Sequence, residues 1–401
     1  MKIRLFNAVF IVLGCILSVL AESKTIHVPA GATQSILQRA ELGDANAQRQ
    51  LAMRYFYGFG VEQNDNMVIY WLMQAINNGN ARAMGSLAYM YFEGRGVKKD
   101  YEKSFYWAEK GAKLGDALSQ QSTGLSYLNG WGVKQDDQKA VTWLQQSANQ
   151  NHAGALYALA YAYQEERGVS LNVQKAINLY KEAAQLGSAR AQSWLGTLNF
   201  NGNHIVKDME TALYWLEKAA MAEDSVSQQQ LGAMFEYGTY VVKNIEQAIY
   251  WYEKAAEQKN SSAYIPLSFI YSSADYGFQD YNKSFKWSTK AAEAGDPMGF
   301  YNQAFLYYQG LGVKQDFNQA FRLWKRAADK GLIRAYTGLG DAYLNGAGTK
   351  QDAYKAYVAY LVGNNGEEHE YSKKAADKLS YSQRSKARKE AQQLIEKYQK
   401  G

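Results

Sequence analysis

Nine aspartates and asparagines recur at intervals of 36 residues without a slip: Asn64, Asp100, Asp136, Asn172, Asp208, Asn244, Asp280, Asp316 and Asp352. A period of this length, held over most of a 401-residue chain, means a stack of one repeated unit. Each unit buries its apolar face only against its neighbours. Such an array offers a long surface and no natural cleft, so binding is the function to expect.

Other columns of the repeat define the unit. Glycine fills seven of nine places in the series Gly58, Gly94, Gly130, Glu166, Gly202, Gly238, Ala274, Gly310, Gly346. Two residues on stand Gly60, Gly96, Gly132, Gly168, His204, Tyr240, Tyr276, Gly312 and Gly348. Glycine recurs where a helix ends in a left-handed turn. The Asp/Asn column follows, and such side chains accept from free backbone N–H groups at the start of a helix. The unit is therefore helix A, a Gly-x-Gly turn, then helix B. A second boundary falls at Gly43, Gly79, Gly115, Asn151, Gly187, Glu223, Lys259, Gly295 and Gly331. The next residues are Asp44, Asn80, Asp116, His152, Ser188, Asp224, Asn260, Asp296 and Leu332, and seven of these nine are good helix starters.

Two columns are small throughout: Ala52 to Gly340 in helix A and Ala75 to Gly363 in helix B. Large rings are expected to fill the space between them. Helix A supplies Tyr55, Tyr91, Tyr127, Tyr163, Phe235, Tyr271, Tyr307 and Tyr343; helix B supplies Trp71, Trp107, Trp143, Trp215, Trp251 and Trp287. In two units the ring moves one place on, to Tyr180 and Trp324. The fold class is all-α: a right-handed superhelical solenoid of about nine 36-residue helix-turn-helix repeats.

The pattern resembles the Sel-1-like repeat family, a relative of tetratricopeptide repeats. One unit carries it as Ala83, Leu87, Ala88, Tyr91, Gly94-Arg95-Gly96-Val97, Asp100, Trp107, Gly111-Ala112 and Gly115-Asp116. The resemblance covers about residues 32–365. It implies an adaptor for other proteins. Some exported members from Gram-negative envelopes bind host proteins, including secretory immunoglobulin A, and the segment from Asp352 through Tyr398 is similar to the closing segment of that type. Some members carry a disulfide in each unit. Here Cys15 is the only cysteine, so stability has to come from stacking and capping.

The ends read separately. Residues 1–21 look like a secretory signal: Lys2 and Arg4, the apolar stretch Leu5–Leu20, and a small-residue cleavage site ending at Ala21. An uncleaved anchor and a lipoprotein processed at Cys15 are the alternatives. Residues 22–43 form an N-terminal lead and a capping half-repeat, with Ile36, Leu37 and Ala40 on one helix face. Nine repeats occupy 44–365. Residues 366–401 are a basic C-terminal cap, with helices expected near 366–379 and 384–399 on either side of Ser380-Tyr381-Ser382. Ala375, Leu379, Ala387, Ala391, Leu394 and Tyr398 are the residues that would bury one side of it. The net charge of +6 lies in this tail: residues 373–400 hold nine Lys/Arg and three Asp/Glu, and the rest of the chain holds 35 of each sign. Such a tail is either a solvated capping helix or the one place for membrane contact. With no basic stripe along the array, nucleic acid is not an expected partner.

No catalytic or cofactor motif stands out. GxxxxGK[ST], HExxH, CxxC and SxxK are absent, and His27, His152, His204 and His369 fall at different repeat phases. His152 sits in the cap column, where a turn role is expected. No cofactor or metal is expected, and the protein reads as a non-enzyme. A periplasmic regulator or enzyme of cell-wall or envelope assembly is the alternative reading.

Candidate partner-binding residues fall in two groups. In tetratricopeptide-like solenoids helix A lines the concave face, which brings forward Tyr89, Tyr157 and Tyr161, and Phe269, Tyr301 and Phe305. These rings either bind a partner or pack between neighbouring A helices. The second group marks where the unit breaks its own rule. Three consecutive turns lose their second glycine, to His204, Tyr240 and Tyr276, and Pro266 enters the helix A before the third. Residues 199–206, 236–243 and 272–280 are then expected to form one non-standard edge. Trp131, inside a Gly-x-Gly turn, and Trp194, outside both ring columns, are further departures. The partner is expected to be an envelope protein or a host protein such as immunoglobulin A.

Overall fold

The computed structural model describes residues 30–399, so the proposed signal segment lies outside the described residues. Among the described residues the chain forms helices and no strand. The lead helix Ala30–Glu41 is followed by nine A/B pairs. The A helices are Ala45–Tyr57, Ala81–Glu93, Ala117–Asn129, Ala153–Gln164, Ala189–Asn201, Ser225–Tyr237, Tyr264–Ser272, Pro297–Gln309 and Ala335–Asn345. The B helices are Asp65–Asn77, Tyr101–Lys113, Asp137–Ala148, Val173–Gln185, Met209–Met221, Ile245–Glu257, Tyr281–Glu293, Phe317–Asp329 and Ala353–Gly363. The result is an all-α solenoid of helix-turn-helix repeats. It forms two compact units that divide between Ser227 and Gln228.

The nine founding residues all cap helix B. Each accepts from a backbone N–H two or three residues on, as Asn172 does from Lys175 at 2.9 Å and Asp352 from Lys355 at 3.0 Å. Their own N–H groups donate backwards to the carbonyl nine residues earlier, from Asn64 to Tyr55 through Asp352 to Tyr343. One residue therefore starts helix B and closes the turn from helix A. Asn172→Ala is expected to cost about 1 kcal/mol in urea unfolding.

Four aspartate caps titrate below the ordinary carboxylate range. Asp100 and Asp136 are lowered first by backbone N–H donors, as is Asp44 at the start of a helix A; Asp208 is lowered first by the Thr211 hydroxyl. A lowered carboxyl contributes stability that is complete above its unfolded pKa, about 4, and is lost as pH falls through the folded value. Thermal stability is expected to drop below about pH 4, and Asp136→Asn is expected to flatten that drop.

The boundary before helix A is kept even where glycine is not. All nine positions from Gly43 to Gly331 have positive φ, including Asn151 (58°), Glu223 (63°) and Lys259 (63°). The seven expected caps bond the helix that follows. His152 holds the cap position without making a cap bond. Its Nδ1 is buried without a partner, and burial lowers its pKa. The last helix A starts late, at Ala335, because Leu332 offers no acceptor.

Packing corrects one expectation. The small helix-A column is met not by the tryptophan column but by the residue after it. A Cβ on Gly124 would come within 2.7 Å of Leu144, and one on Gly196, Gly232 or Gly340 within 2.6 Å of Leu216, Tyr252 or Tyr360. The ring displaced to Tyr180 or Trp324 thus takes the place against the small helix-A column, at 1% and 3% exposure.

The C-terminal helices run Glu370–Ala376 and Tyr381–Gln399. Tyr381 and Ser382 are helical, contrary to the expected break. Ser380 caps the second helix, accepting from Gln383 N–H at 3.2 Å while its own N–H donates to the Gln383 side chain at 2.9 Å. Ala375, Leu379, Ala387 and Ala391 are buried, and Ile395 is buried more deeply than Leu394. Arg388 bonds Glu368 at 2.8 Å and Tyr357 at 3.1 Å, the Tyr354 hydroxyl donates to Glu390 at 2.8 Å, and Tyr336 pairs with Tyr398 at 3.1 Å. This tail covers the last repeat.

Candidate docking surface

The Gly-x-Gly turns have a seat. At Gly96, Gly132, Gly168, Gly312 and Gly348 the turn closes on the first residue of the preceding helix B, where the backbones approach too closely for a side chain. A Cβ on Gly132 would lie 1.9 Å from the Tyr101 carbonyl oxygen; on Gly168, 2.2 Å from that of Asp137; on Gly312, 2.2 Å from that of Tyr281. In three of these turns the residue before the second glycine pairs with the same helix start. Arg95 binds Asp65 at 2.6 and 3.2 Å, Arg167 binds Asp137 at 2.6 and 3.0 Å, and Trp131 stacks on Tyr101 with centroids 6.5 Å apart. Trp131 is therefore the aromatic version of a charged pair, which accounts for its unusual place.

Where the second glycine is lost, the turns differ from one another. His204 (φ 64°) and Tyr240 (φ 61°) keep the left-handed backbone, which costs a non-glycine residue about 1–2 kcal/mol. Both are exposed. At Tyr276 the turn is rebuilt. Ala274–Tyr276 forms a short 3-10 helix and the positive φ (74°) moves to Gly277. Pro266 lies in the first turn of the shortened helix Tyr264–Ser272, where a missing N–H is tolerated.

In the second compact unit, residues 236–243 and 272–280 do come together. Glu236, 2% exposed, accepts from the Tyr252 hydroxyl at 2.7 Å and from Tyr276 at 3.3 Å. Burial first, and then the Glu236 charge, push both hydroxyl pKa values up, so they remain donors. Lys243 lies 5.2 Å above the Tyr276 ring, and Phe269 meets that ring edge-on at 5.8 Å. Around this brace Tyr237, Tyr240 and Phe269 are 69%, 61% and 51% exposed, and Phe278 is also exposed. The 199–206 turn belongs to the first compact unit.

The other candidate residues are more enclosed. Tyr157, Tyr161 and Trp194 are half-buried against the core around Tyr180. Trp194 stacks on Tyr180 at 3.9 Å and Tyr157 meets it edge-on at 5.3 Å. Tyr89 packs on Phe56 at 6.0 Å and lines a cavity of about 30 Å³ with Gln121 and Trp131. Tyr301 is half-buried in the core of repeats 8 and 9, and Phe305 is exposed.

Sequence reasoning passed over Glu236, although a signal was available. Its column reads Phe56, Phe92, Leu128, Gln164, Phe200, Glu236, Ser272, Tyr308, Leu344. A carboxylate in a mostly apolar column needs a buried donor. The donor is the tyrosine 16 residues on, as in the Tyr180–Gln164 bond of 3.2 Å.

Among the described residues no group of three or more His, Cys, Asp and Glu is placed to hold a metal ion, and no helix is long and apolar enough to cross a membrane.

The Sel1 repeat family model matches nine segments: 45–80, 81–116, 117–152, 153–188, 189–224, 225–260, 267–296, 300–332 and 333–358. The chain belongs to the Sel1 repeat family. Proteins of this family are protein-interaction scaffolds. This Sel1 repeat chain is similar to the crystal structure of c5321, a protective antigen present in uropathogenic Escherichia coli strains displaying an SLR fold. Identity is 29% and the TM-score 0.61, over 97% of this chain and 85% of that one. It is also similar to a Sel1 repeat protein from Oxalobacter formigenes, at 29% identity and TM-score 0.54, over 63% of this chain and all of that one. A search of curated protein sequences finds no match.

Proposed function

We propose that this Sel1 repeat chain is an exported, non-enzymatic scaffold that docks another protein on the turn edge of repeats 6 and 7. The observation that carries this is the set of exposed rings, Tyr237, Tyr240, Phe269 and Phe278, held around a buried Tyr252–Glu236–Tyr276 brace. Exposed aromatics on a rigid support are the usual anchors of protein interfaces. Export is supported by the signal-like residues 1–21 and by the description of c5321 as a protective antigen.

The partner class is a host protein, with secretory immunoglobulin A as the first to assay. Surface plasmon resonance with the purified full chain tests it directly. Tyr240→Ala with Phe269→Ala is expected to weaken binding by about a hundredfold or more while the helical signal stays unchanged. Absence of binding at about micromolar protein would remove immunoglobulin A as the partner. Turnover of a β-lactam or peptidoglycan substrate that a point substitution stops would replace the scaffold reading with the cell-wall enzyme.

A further inference from the structure

The rebuilt turn of repeat 7 puts Tyr276 at the seat position and moves the left-handed residue on to Gly277. In the seated turns a glycine backbone presses on the start of the preceding helix B. Here Gly277 has no heavy atom within 4 Å of where a Cβ would stand. A notch of about 430 Å³ opens beside the start of helix Ile245–Glu257. Ile249, Tyr271 and Phe278 give it apolar walls, and Glu246 and Lys283 lie on its lining.

Three seated turns show matched pairs at this contact. Arg95 faces Asp65, Trp131 faces Tyr101 and Arg167 faces Asp137. At this seat the helix starts with Ile245, and the turn residue that would face it is Asp275. A carboxylate over an isoleucine is a mismatch, and desolvating it there is costly. The charges around the notch are not all satisfied internally either. Asp280 is occupied as the cap of its helix, accepting at 3.0 and 3.1 Å, and Lys283 lies over the Tyr271 ring at 4.8 Å. Glu246 is exposed and has no hydrogen-bond or ion-pair partner among the described residues.

We propose that this notch takes a surface turn of the partner protein, one presenting an apolar side chain followed by a lysine or arginine. The apolar side chain meets Ile249, Tyr271 and Phe278, and the cation meets Glu246. The chain's own turns have this chemistry: Gly130-Trp131-Gly132-Val133-Lys134 and Gly310-Leu311-Gly312-Val313-Lys314. The inference rests on the docking function proposed above and narrows it to one chemical class of partner.

The test uses a fluorescently labelled peptide with the sequence of residues 128–136, titrated with the full-length protein. Control peptides replace its tryptophan by alanine or its lysine by glutamate. Saturable binding is expected, weakened about tenfold by either control change and by Glu246→Lys in the protein. Glu246 is exposed, so an unchanged thermal melt separates lost contact from lost fold. A second protein variant, Phe278→Ser, is expected to weaken the parent peptide without affecting the contribution of its lysine. Equal binding of all peptides, or none at about 1 mM, overturns the notch assignment. If a partner protein still depends on Tyr240 and Phe269 in that case, the docking function stands and the notch alone is excluded.

Discussion

Tyr180→Ala is expected to cost about 3–5 kcal/mol. Tyr180 is 1% exposed. Its ring is stacked by Trp194 at 3.9 Å and met edge-on by Tyr157 at 5.3 Å, and its hydroxyl donates to Gln164 at 3.2 Å. Removing the ring opens a cavity between helices A and B of repeat 4 and strips Trp194 of its stacking partner. Urea unfolding followed by tryptophan fluorescence reads both consequences. Tyr180→Phe keeps the stack and gives up only the hydroxyl bond, so its loss is expected at about 1 kcal/mol. Near-equal losses for the two variants would show that the hydrogen bond, not the ring, holds this repeat.

The second large effect lies in the turn seats. Gly132→Ala combines a left-handed backbone (φ 68°) with a Cβ 1.9 Å from the Tyr101 carbonyl oxygen. Neither backbone yields without breaking the start of helix Tyr101–Lys113 or the Trp131–Tyr101 stack. A loss of about 3 kcal/mol or more follows from adding the two terms. Gly277→Ala separates them: the same kind of backbone (φ 74°) with open space around it. It is expected to cost only the left-handed term, about 1–2 kcal/mol. Parallel thermal melts decide the comparison. Equal losses would mean that the seat contributes nothing beyond backbone conformation, and the empty notch of repeat 7 would lose its significance.

The regular part of the fold was legible because each repeat answers the same local demands. A helix start needs an acceptor, and Asn64 through Asp352 supply one. A left-handed boundary needs glycine, or something placed there by its neighbours, as Glu223 and Lys259 are. Contacts between repeats were harder to read. That Arg95 reaches Asp65 and Trp131 reaches Tyr101 depends on the turn of one repeat landing on the helix start of the one before, a separation of 30 residues. No single unit contains that relation. For the same reason Trp194 looked out of place until Tyr180, displaced by one position, was seen to need a stacking partner. At the candidate site the sequence pointed to the lost glycines at Tyr240 and Tyr276 but not to what replaces them. Tyr276 looked like a free ring, and it proves to be half of a brace. Its hydroxyl reaches Glu236, 40 residues earlier, so its replacement would disturb the platform rather than the contact. Tyr240 and Phe269 are therefore the residues to change when binding is measured.

The central claim is that the turn edge of repeats 6 and 7 holds a protein partner. Site-specific photo-crosslinking in intact cells, with the crosslinker replacing Tyr240, Phe269 or, as controls, Tyr106 and Tyr250 of the B helices, tests it most directly. One discrete adduct of the same mass from positions 240 and 269, and none from 106 or 250, is the expected result. An adduct that forms from the control positions and not from 240 or 269 would contradict the claim.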